Sequence, residues 1–548
     1  MPTNLKKIFF FLSCIVFFYN HSSAQTIFEN NRSEVYPFLN RMAQKGLVQF
    51  DDIIQPVTRT HINHALADLQ NKKSQLSITE QKELAFYLEE FAIINDTNTK
   101  LDLFKNDYNK RWRSFRLQSK EFVVNGDPIM GIATFSNDGK TVQQLSNGME
   151  MWGTMGELKK WSYQLYYRDY TEKGNGIQNT NIASPETGKI LIGANANNQI
   201  NYSEVRANLS YSWKNGSISF GKDNMNWGYG ENGKLVLSNK TPSYPYIRFD
   251  YTPAKWMSFN YMHAWLNSNL VDSNLSYNTY TGGVSGDTRI LYTQKYLVTH
   301  SLIFKPIQGL NIALGESIIY GDKLDPGFFI PINLFKFYDN NRSNYSINAG
   351  SNGQYFLQIS SRNQIKNTHL YASTFIDEIR VGEIFNKSKS RNQLGYTIGG
   401  SVTDVIVPYL TLGAEYTRIN PFVYSNLIPA QTYTSYNYSL GDWMGNNFDR
   451  KIIFLKYTPL PKLKLVARYQ DIRKGAAGTI VQQYLAEPQP AFLFDLQNKR
   501  KDIYLQATYE WIHNLYVRSS AQWLSENNAN GLTINSSMYS LGISFGLP

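Results

Sequence analysis

Cysteine is nearly absent from this 548-residue chain: the one thiol, Cys14, lies in an apolar leader, so no disulfide framework can staple an exported form together. Long apolar runs are lacking too. Mean hydropathy is −0.39, and past the first two dozen residues nothing approaches the roughly 18 consecutive apolar residues a spanning helix needs. That excludes a helical membrane protein. Charged side chains make up only 18% of the chain and Gly and Pro do not dominate, so neither a disordered nor a collagen-like chain fits. No GxSxG and no HExxH occurs, and we expect no catalytic residue, no metal and no cofactor. What is abundant is aromatic: 38 Tyr, 31 Phe and 10 Trp, the composition of strands rather than of helices built on Leu, Ala, Glu and Lys.

Lys6 and Lys7 precede an apolar stretch from Ile8 to Tyr19, and Ser22, Ser23 and Ala24 supply the small residues that signal peptidase reads. A signal peptide over residues 1–24 is expected, and the apolar core continuing past Cys14 argues against a lipid anchor. Removing Lys6 and Lys7 lowers the formal charge from +11 to +9. Such a balance suits anionic glycans or outer-membrane lipid head groups as neighbours, whereas nucleic acid is no partner for an exported chain.

Residues 25–112 read as a small helical domain on the periplasmic side. Phe38, Leu39 and Met42 follow Pro37, with Gly46 as a stop. Ile62, Ala65, Leu66 and Leu69 follow Thr58 at helical spacing, and Ser77-Ile78-Thr79-Glu80 is a capping box ahead of Leu84, Tyr87, Leu88 and Phe91. From about Pro128 the period changes to two. Val205, Ala207, Leu209, Tyr211 and Trp213 alternate with Arg206, Asn208, Ser210 and Ser212 ahead of the hairpin signal Asn215-Gly216. Ile503, Leu505, Ala507, Tyr509 and Trp511 alternate with polar residues in the same way.

Connection lengths separate a soluble sandwich from a membrane barrel. Tight links at 214–216, 252–255, 305–309, 407–409, 458–462 and 512–514 alternate with long polar ones at 172–204, 224–246, 266–294, 321–353, 377–392, 419–449 and 470–501. Short turns on one rim and long loops on the other predict an all-β transmembrane barrel of about 18 antiparallel strands over residues 113–548, with extracellular long loops. Tyr539, Leu541, Ile543, Phe545 and Leu547 alternate with small or polar residues, like the terminal strand by which barrel-insertion machinery recognises its clients.

Three features bear on function. Gly228-Tyr229-Gly230-Glu231-Asn232-Gly233 matches GxGxxG, but the residues after it are strand-like where a dinucleotide site requires a helix. His61 and His64 lie three apart on a helix with no third ligand nearby, so they read as a polar face. A sugar site wants aromatic platforms beside carboxylates and amides. That composition occurs in Tyr424, Tyr433, Tyr436, Tyr438, Asp442 and Trp443, and again in Trp227, Tyr229, Glu231 and Asn232, both in loops expected on the outer rim.

Phe220-Gly221-Lys222-Asp223, Trp227-Gly228-Tyr229-Gly230 and Leu235-Val236-Leu237-Ser238-Asn239 resemble the core signature of the Wzi capsule-assembly family of outer-membrane proteins. Gly315 to Gly321, Pro331-Ile332, Asp339-Asn340 and Glu415-Tyr416-Thr417-Arg418 follow in that family's order. One departure is Tyr424-Ser425-Asn426, where the resemblance puts a histidine after the tyrosine. The resemblance implies an 18-stranded barrel that acts, without catalysis, as a lectin-like organiser of capsular or other surface polysaccharide, and it adds Asp339 and Asn340 to the candidate glycan-binding residues. Residues 36–91 also look like surface proteins of gliding bacteria. A component of a gliding-motility or adhesion apparatus is therefore the first alternative, and an outer-membrane channel or enzyme the second.

Overall fold

The computed structural model describes residues 26–91, 99–107, 110–156, 158–177, 186–192, 198–279, 288–345, 350–386 and 388–547. The expected signal peptide with Cys14, parts of the 172–204 loop and Pro548 lie outside them.

Three helices form: α1 (Val35–Gln44), which begins two residues before the expected start at Pro37 and has no side-chain cap, and α2 (Arg59–Asn71) and α3 (Ile78–Phe91), which follow the expected caps at Thr58 and Ser77. At α2 the Thr58 hydroxyl accepts the His61 N–H at 3.2 Å. Before α3 the Ser77 N–H donates to the Glu80 carboxylate at 2.9 Å and the Glu80 N–H to Ser77 Oγ at 3.3 Å, satisfying two orphan donors reciprocally. The three apolar stripes meet in one core around Leu39, Met42, Ile62, Leu66, Leu69 and Leu84.

Eighteen antiparallel strands close into a barrel. The first nine are β1 (Phe122–Asn137), β2 (Lys140–Met155), β3 (Trp161–Gly174), β4 (Gln199–Trp213), β5 (Gly216–Asp223), β6 (Tyr244–Ala254), β7 (Met257–Val271), β8 (Tyr292–Ile307) and β9 (Leu310–Gly321). The rest are β10 (Asn352–Arg362), β11 (Thr368–Ile379), β12 (Asn392–Thr403), β13 (Leu410–Ile419), β14 (Phe448–Leu460), β15 (Leu463–Lys474), β16 (Asn498–Ile512), β17 (Leu515–Asn528) and β18 (Thr533–Phe545). Closure runs from Met538 opposite Asn137 to Phe545 opposite Met130. The remaining edge of β1 pairs with a hairpin, Lys100–Asn106 and Trp112–Gln118, through Phe115 opposite Gly126. The sheet thus starts before the expected division at residues 112 and 113.

Burial along the strands is inverted relative to a soluble sheet. On β4, Leu209 is 41% exposed while Ser210 is fully buried, and on β16 Leu505 is 41% exposed while Thr508 is 1% exposed. Apolar side chains face out and polar ones face the lumen, as lipid outside and satisfied backbone groups inside require. The helices sit on the short-turn rim. Gln44 Nε2 donates to the carbonyls of Asn367 and Ser401 at 2.8 and 2.9 Å, Lys45 pairs with Asp404 at 2.7 Å, and His513 stacks on Phe86 with centroids 4.0 Å apart. Among the described residues no helix is long and apolar enough to cross a membrane; the strands do the crossing.

Candidate functional site

Two long connections turn inward and fill part of the lumen. The loop after β5 carries a two-residue strand, Asn226–Trp227, which pairs antiparallel with Ile54–Gln55 from the segment between α1 and α2. Ile54, Trp227, Leu235 and Leu237 then share an internal core with the wall residues Phe356 and Phe375. The Tyr229 hydroxyl donates to the Asp51 carboxylate at 2.9 Å, which also receives Arg362 Nη1 at 2.6 Å. Burial opposes charge on the neighbouring Asp52, but Arg362 and then Lys234 outweigh it and hold that carboxyl below its ordinary value.

The glycines of the GxGxxG run serve this threading. Gly228 and Gly233 have φ of 116° and 153°, backbone that L side chains rarely adopt, and a Cβ there would run into Gln358 and Asp442. No helix follows; Leu237 bridges back to Trp227 instead.

The second inward segment, 420–447 between β13 and β14, holds the first in place. Tyr424 and Tyr433 stack with centroids 5.4 Å apart, and their hydroxyls donate to the carbonyls of Leu235 at 2.7 Å and Val236 at 3.0 Å. Trp443 Nε1 donates to the Asn232 carbonyl at 2.8 Å, and Asn232 Nδ2 to Gln470 Oε1 at 3.0 Å. Glu231 pairs with Lys456 at 2.8 Å. Asp442 and Arg450 form a bidentate pair at 2.7 and 3.2 Å, both fully buried.

The expected placement of Trp227, Tyr229, Glu231 and Asn232 on the outer rim is therefore corrected: all four lie in the lumen, and Trp227 is 2% exposed. The physical reason is that polar wall groups such as Gln470, Glu415 and Arg450 satisfy the loop's amides and charges, so entering the lumen leaves few of its polar groups unpaired. Tyr424 is buried as well, again against the outer-rim expectation. Asp339, on α4 (Phe335–Tyr345), is fully buried and accepts the Ser351 N–H at 2.9 Å, whereas Asn340 beside it is exposed. Tyr436 and Tyr438 belong to a small hairpin whose central residues, Tyr436 and Asn437, have φ of 51° and 66°, the pattern of a type I′ turn. Tyr438 is 40% exposed, and Tyr436 and Trp443 are half-buried. Of the ten candidate glycan-binding residues, Asn340 and Tyr438 are exposed, Glu231, Tyr436 and Trp443 are half-buried, and the other five are buried. Among the described residues no group of three His, Cys, Asp or Glu side chains is placed to hold a metal.

Over residues 132–523 the chain matches the family model described as capsule assembly protein Wzi. It belongs to the Wzi capsule-assembly family. The solved structure of Wzi from Escherichia coli, an outer membrane protein involved in group 1 capsule assembly and described as a carbohydrate-binding β-barrel, is 13% identical, with a TM-score of 0.59; the match covers 95% of this chain and 99% of that one. The outer membrane protein OprD of Pseudomonas aeruginosa matches at 12% identity and a TM-score of 0.41, over 77% of this chain and 93% of that one. A search of the curated proteins finds no match. This Wzi-family chain is thus an outer-membrane β-barrel.

Beside the plug, the Wzi-family barrel keeps an open space of about 530 Å³ against the continuous arc of wall formed by β15–β18 and β1–β4. Its lining includes Arg32, Arg168, Lys189, Lys240, Arg468 and Arg518, against the carboxylates of Glu186 and Glu204. Burial opposes the charge on Glu186, but Lys240, Arg468 and Arg500 around it hold the carboxyl down at about 2. Sequence reasoning missed this lining. Its signal was available in the basic residues at lumen-facing positions on strands far apart in sequence, Arg168 on β3, Arg468 on β15 and Arg518 on β17.

Proposed function

We propose that this protein is a non-catalytic, lectin-like barrel that retains and organises capsular or other surface polysaccharide at the cell surface, with its helices in the periplasm and its long loops outside. The observation that carries the reading is the inward-folded plug. A lumen crossed by the 224–243 loop, anchored to the N-terminal segment below and to Tyr424, Tyr433 and Trp443 above, suits a holding device rather than a wide conduit. Family membership supports it, as does the carbohydrate binding described for the E. coli relative.

Each stacked sugar face is worth about 1 kcal/mol beyond its buried area, by analogy with aromatic pairs, so single substitutions should weaken retention only modestly. The test is Tyr436→Ala with Tyr438→Ala in cells that make the polymer. We expect polymer released into the medium while the barrel still shows its heat-dependent gel shift. Shortening of the polymer by the purified protein would move it to the enzyme class, and an intact capsule with lost surface motility would favour the motility reading.

A further inference from the structure

We propose that the lumen cavity beside the plug is a binding site for an acidic sugar residue, one whose ring carries a carboxylate. Resting on the polysaccharide reading above, this names a site and a ligand class within it.

The cavity lining carries more basic side chains than carboxylates. Arg32 pairs with Glu204 at 2.9 Å and Lys240 with Glu186 at 3.3 Å, so the two carboxylates of the lining are already engaged. Arg168, Lys189, Arg468 and Arg518 have no carboxylate within ion-pair distance among the described residues. Cations facing one another across a cavity with low-dielectric walls repel, and an anion in that space relieves the repulsion.

Two guanidinium donors at the cavity are unfilled. Arg168 is 3% exposed and lines the cavity. Its guanidinium donates to the Leu547 carbonyl and, at 2.8 Å, to Ser146 Oγ, yet its Nε has no partner, and neither has Arg468 Nε. Buried guanidinium N–H groups without acceptors are costly, and forked donors of this type match a carboxylate bidentately.

The lining also has what a sugar ring needs and a bare anion does not. Tyr170 and Tyr202 stack with centroids 4.8 Å apart at the cavity wall, with Lys189 Nζ 5.9 and 5.5 Å from the two rings. Tyr504 also lines the cavity, under Arg468 at 5.2 Å. Gln506, Gln522 and Ser520 add neutral hydrogen-bonding groups for hydroxyls. A volume of about 530 Å³ lies inside the roughly 300–1,000 Å³ range of small-molecule sites.

The experiment is calorimetric titration of the full-length protein in detergent with D-glucuronate, D-glucose and inorganic phosphate, in the wild type and in Arg468→Gln with Arg518→Gln. Gln keeps a donor and removes the charge, and the heat-dependent gel shift reports whether the double variant is folded. We expect glucuronate binding that weakens at least tenfold in the double variant and falls as salt rises, with no measurable heat from glucose. Glucose binding as well as glucuronate, phosphate binding as well as glucuronate, or an unchanged double variant would each overturn the assignment. If the double variant does not fold, the same titration of Lys189→Gln, a loop residue, decides: unchanged glucuronate affinity there refutes the site. Polymer retention by cells is scored separately, so that loss of the cavity assignment and loss of the polysaccharide reading remain distinct results.

Discussion

Replacing Asp442 with Asn removes one charge from a pair that is wholly buried between the plug and the wall, with side-chain exposures of 1% for Asp442 and 0% for Arg450. Charges about 4 Å apart at an effective dielectric of about 20 attract by roughly 4 kcal/mol, and stripping one partner from a buried pair costs about 3–5 kcal/mol. The neutral hydrogen bonds between the two inward segments come from the hydroxyls of Tyr424 and Tyr433, the indole N–H of Trp443 and the Ser238 N–H, which donates to the Leu440 carbonyl at 2.8 Å, each worth about 1 kcal/mol net. The ion pair to the wall therefore contributes about as much as these four neutral bonds together. Its loss should raise the fraction of molecules with segment 420–447 detached by about a thousandfold. The barrel wall does not depend on it, so the gel shift should persist. Limited proteolysis of the detergent-solubilised protein reads the effect as faster cleavage within 420–447, and planar-bilayer recording reads it as larger conductance. Asp442→Leu with Arg450→Met, which removes both charges, should restore much of the protection, because apolar replacement of a buried pair is often neutral. Wild-type cleavage rate and conductance in Asp442→Asn would refute the claim that this pair holds the plug.

Two further outcomes follow from rim assignment and from the helical domain. An epitope inserted in the 172–204 loop should be reached by antibody on intact cells, whereas one at Asn215, on the short-turn rim, should be reached only after the outer membrane is broken; the reverse pattern inverts the topology. At Glu90 on α3, burial alone would raise the carboxyl, but Arg113, Arg111 and Arg59 outweigh it and hold it well below its ordinary range. A carboxylate with a depressed folded value stabilises fully above its unfolded value of about 4.3 and loses that contribution as pH falls toward the folded one. Hydrogen exchange of α3 should therefore be slower in the wild type than in Glu90→Gln at pH 7, with the gap narrowing below pH 4; a gap that does not change with pH would contradict this.

The strand plan is legible in the sequence because the membrane imposes a strict two-residue period. The expected tight links at 407–409 and 512–514 lie where β12 gives way to β13 and β16 to β17, and Leu209 and Ser210 point to lipid and lumen as their alternation requires. Helix caps at Thr58 and Ser77 are equally readable, since each is a local hydrogen-bond bargain between neighbours. Loop destination is not. The 224–243 and 420–447 segments have the aromatic and amide composition of outer loops, yet their polar groups find partners far away in sequence: Asn232 meets Gln470 on β15, and Tyr229 meets Asp51 between α1 and α2. No local pattern encodes pairings across a closed lumen. The glycines at 228 and 233 were the one local hint that this loop turns sharply under crowding. The cationic cavity is hard to read for the same reason: Arg168, Arg468 and Arg518 lie on strands far apart in sequence, and only closure of the barrel puts them around one space.

The way β1 divides its edge bears on how the barrel is zipped. Its second half, Met130 to Asn137, pairs with eight residues of β18, while Val123 to Gly126 is already occupied by the hairpin that immediately precedes it in the chain. A nascent sheet has two free edges, each a template for misaligned pairing. Here the leading edge is partly covered by its own neighbour before the last strand exists. The hairpin also acts as a stop, because β18 cannot slide toward the short-turn rim without displacing Phe115 to Gln118. A slip of one residue would turn the lipid-facing Leu541 and Ile543 inward, and close packing resists it as well, since a side chain at Gly542 would press on Ala133 across the seam. The chain's own preceding hairpin thus limits how far the closing strand can slide toward the short-turn rim.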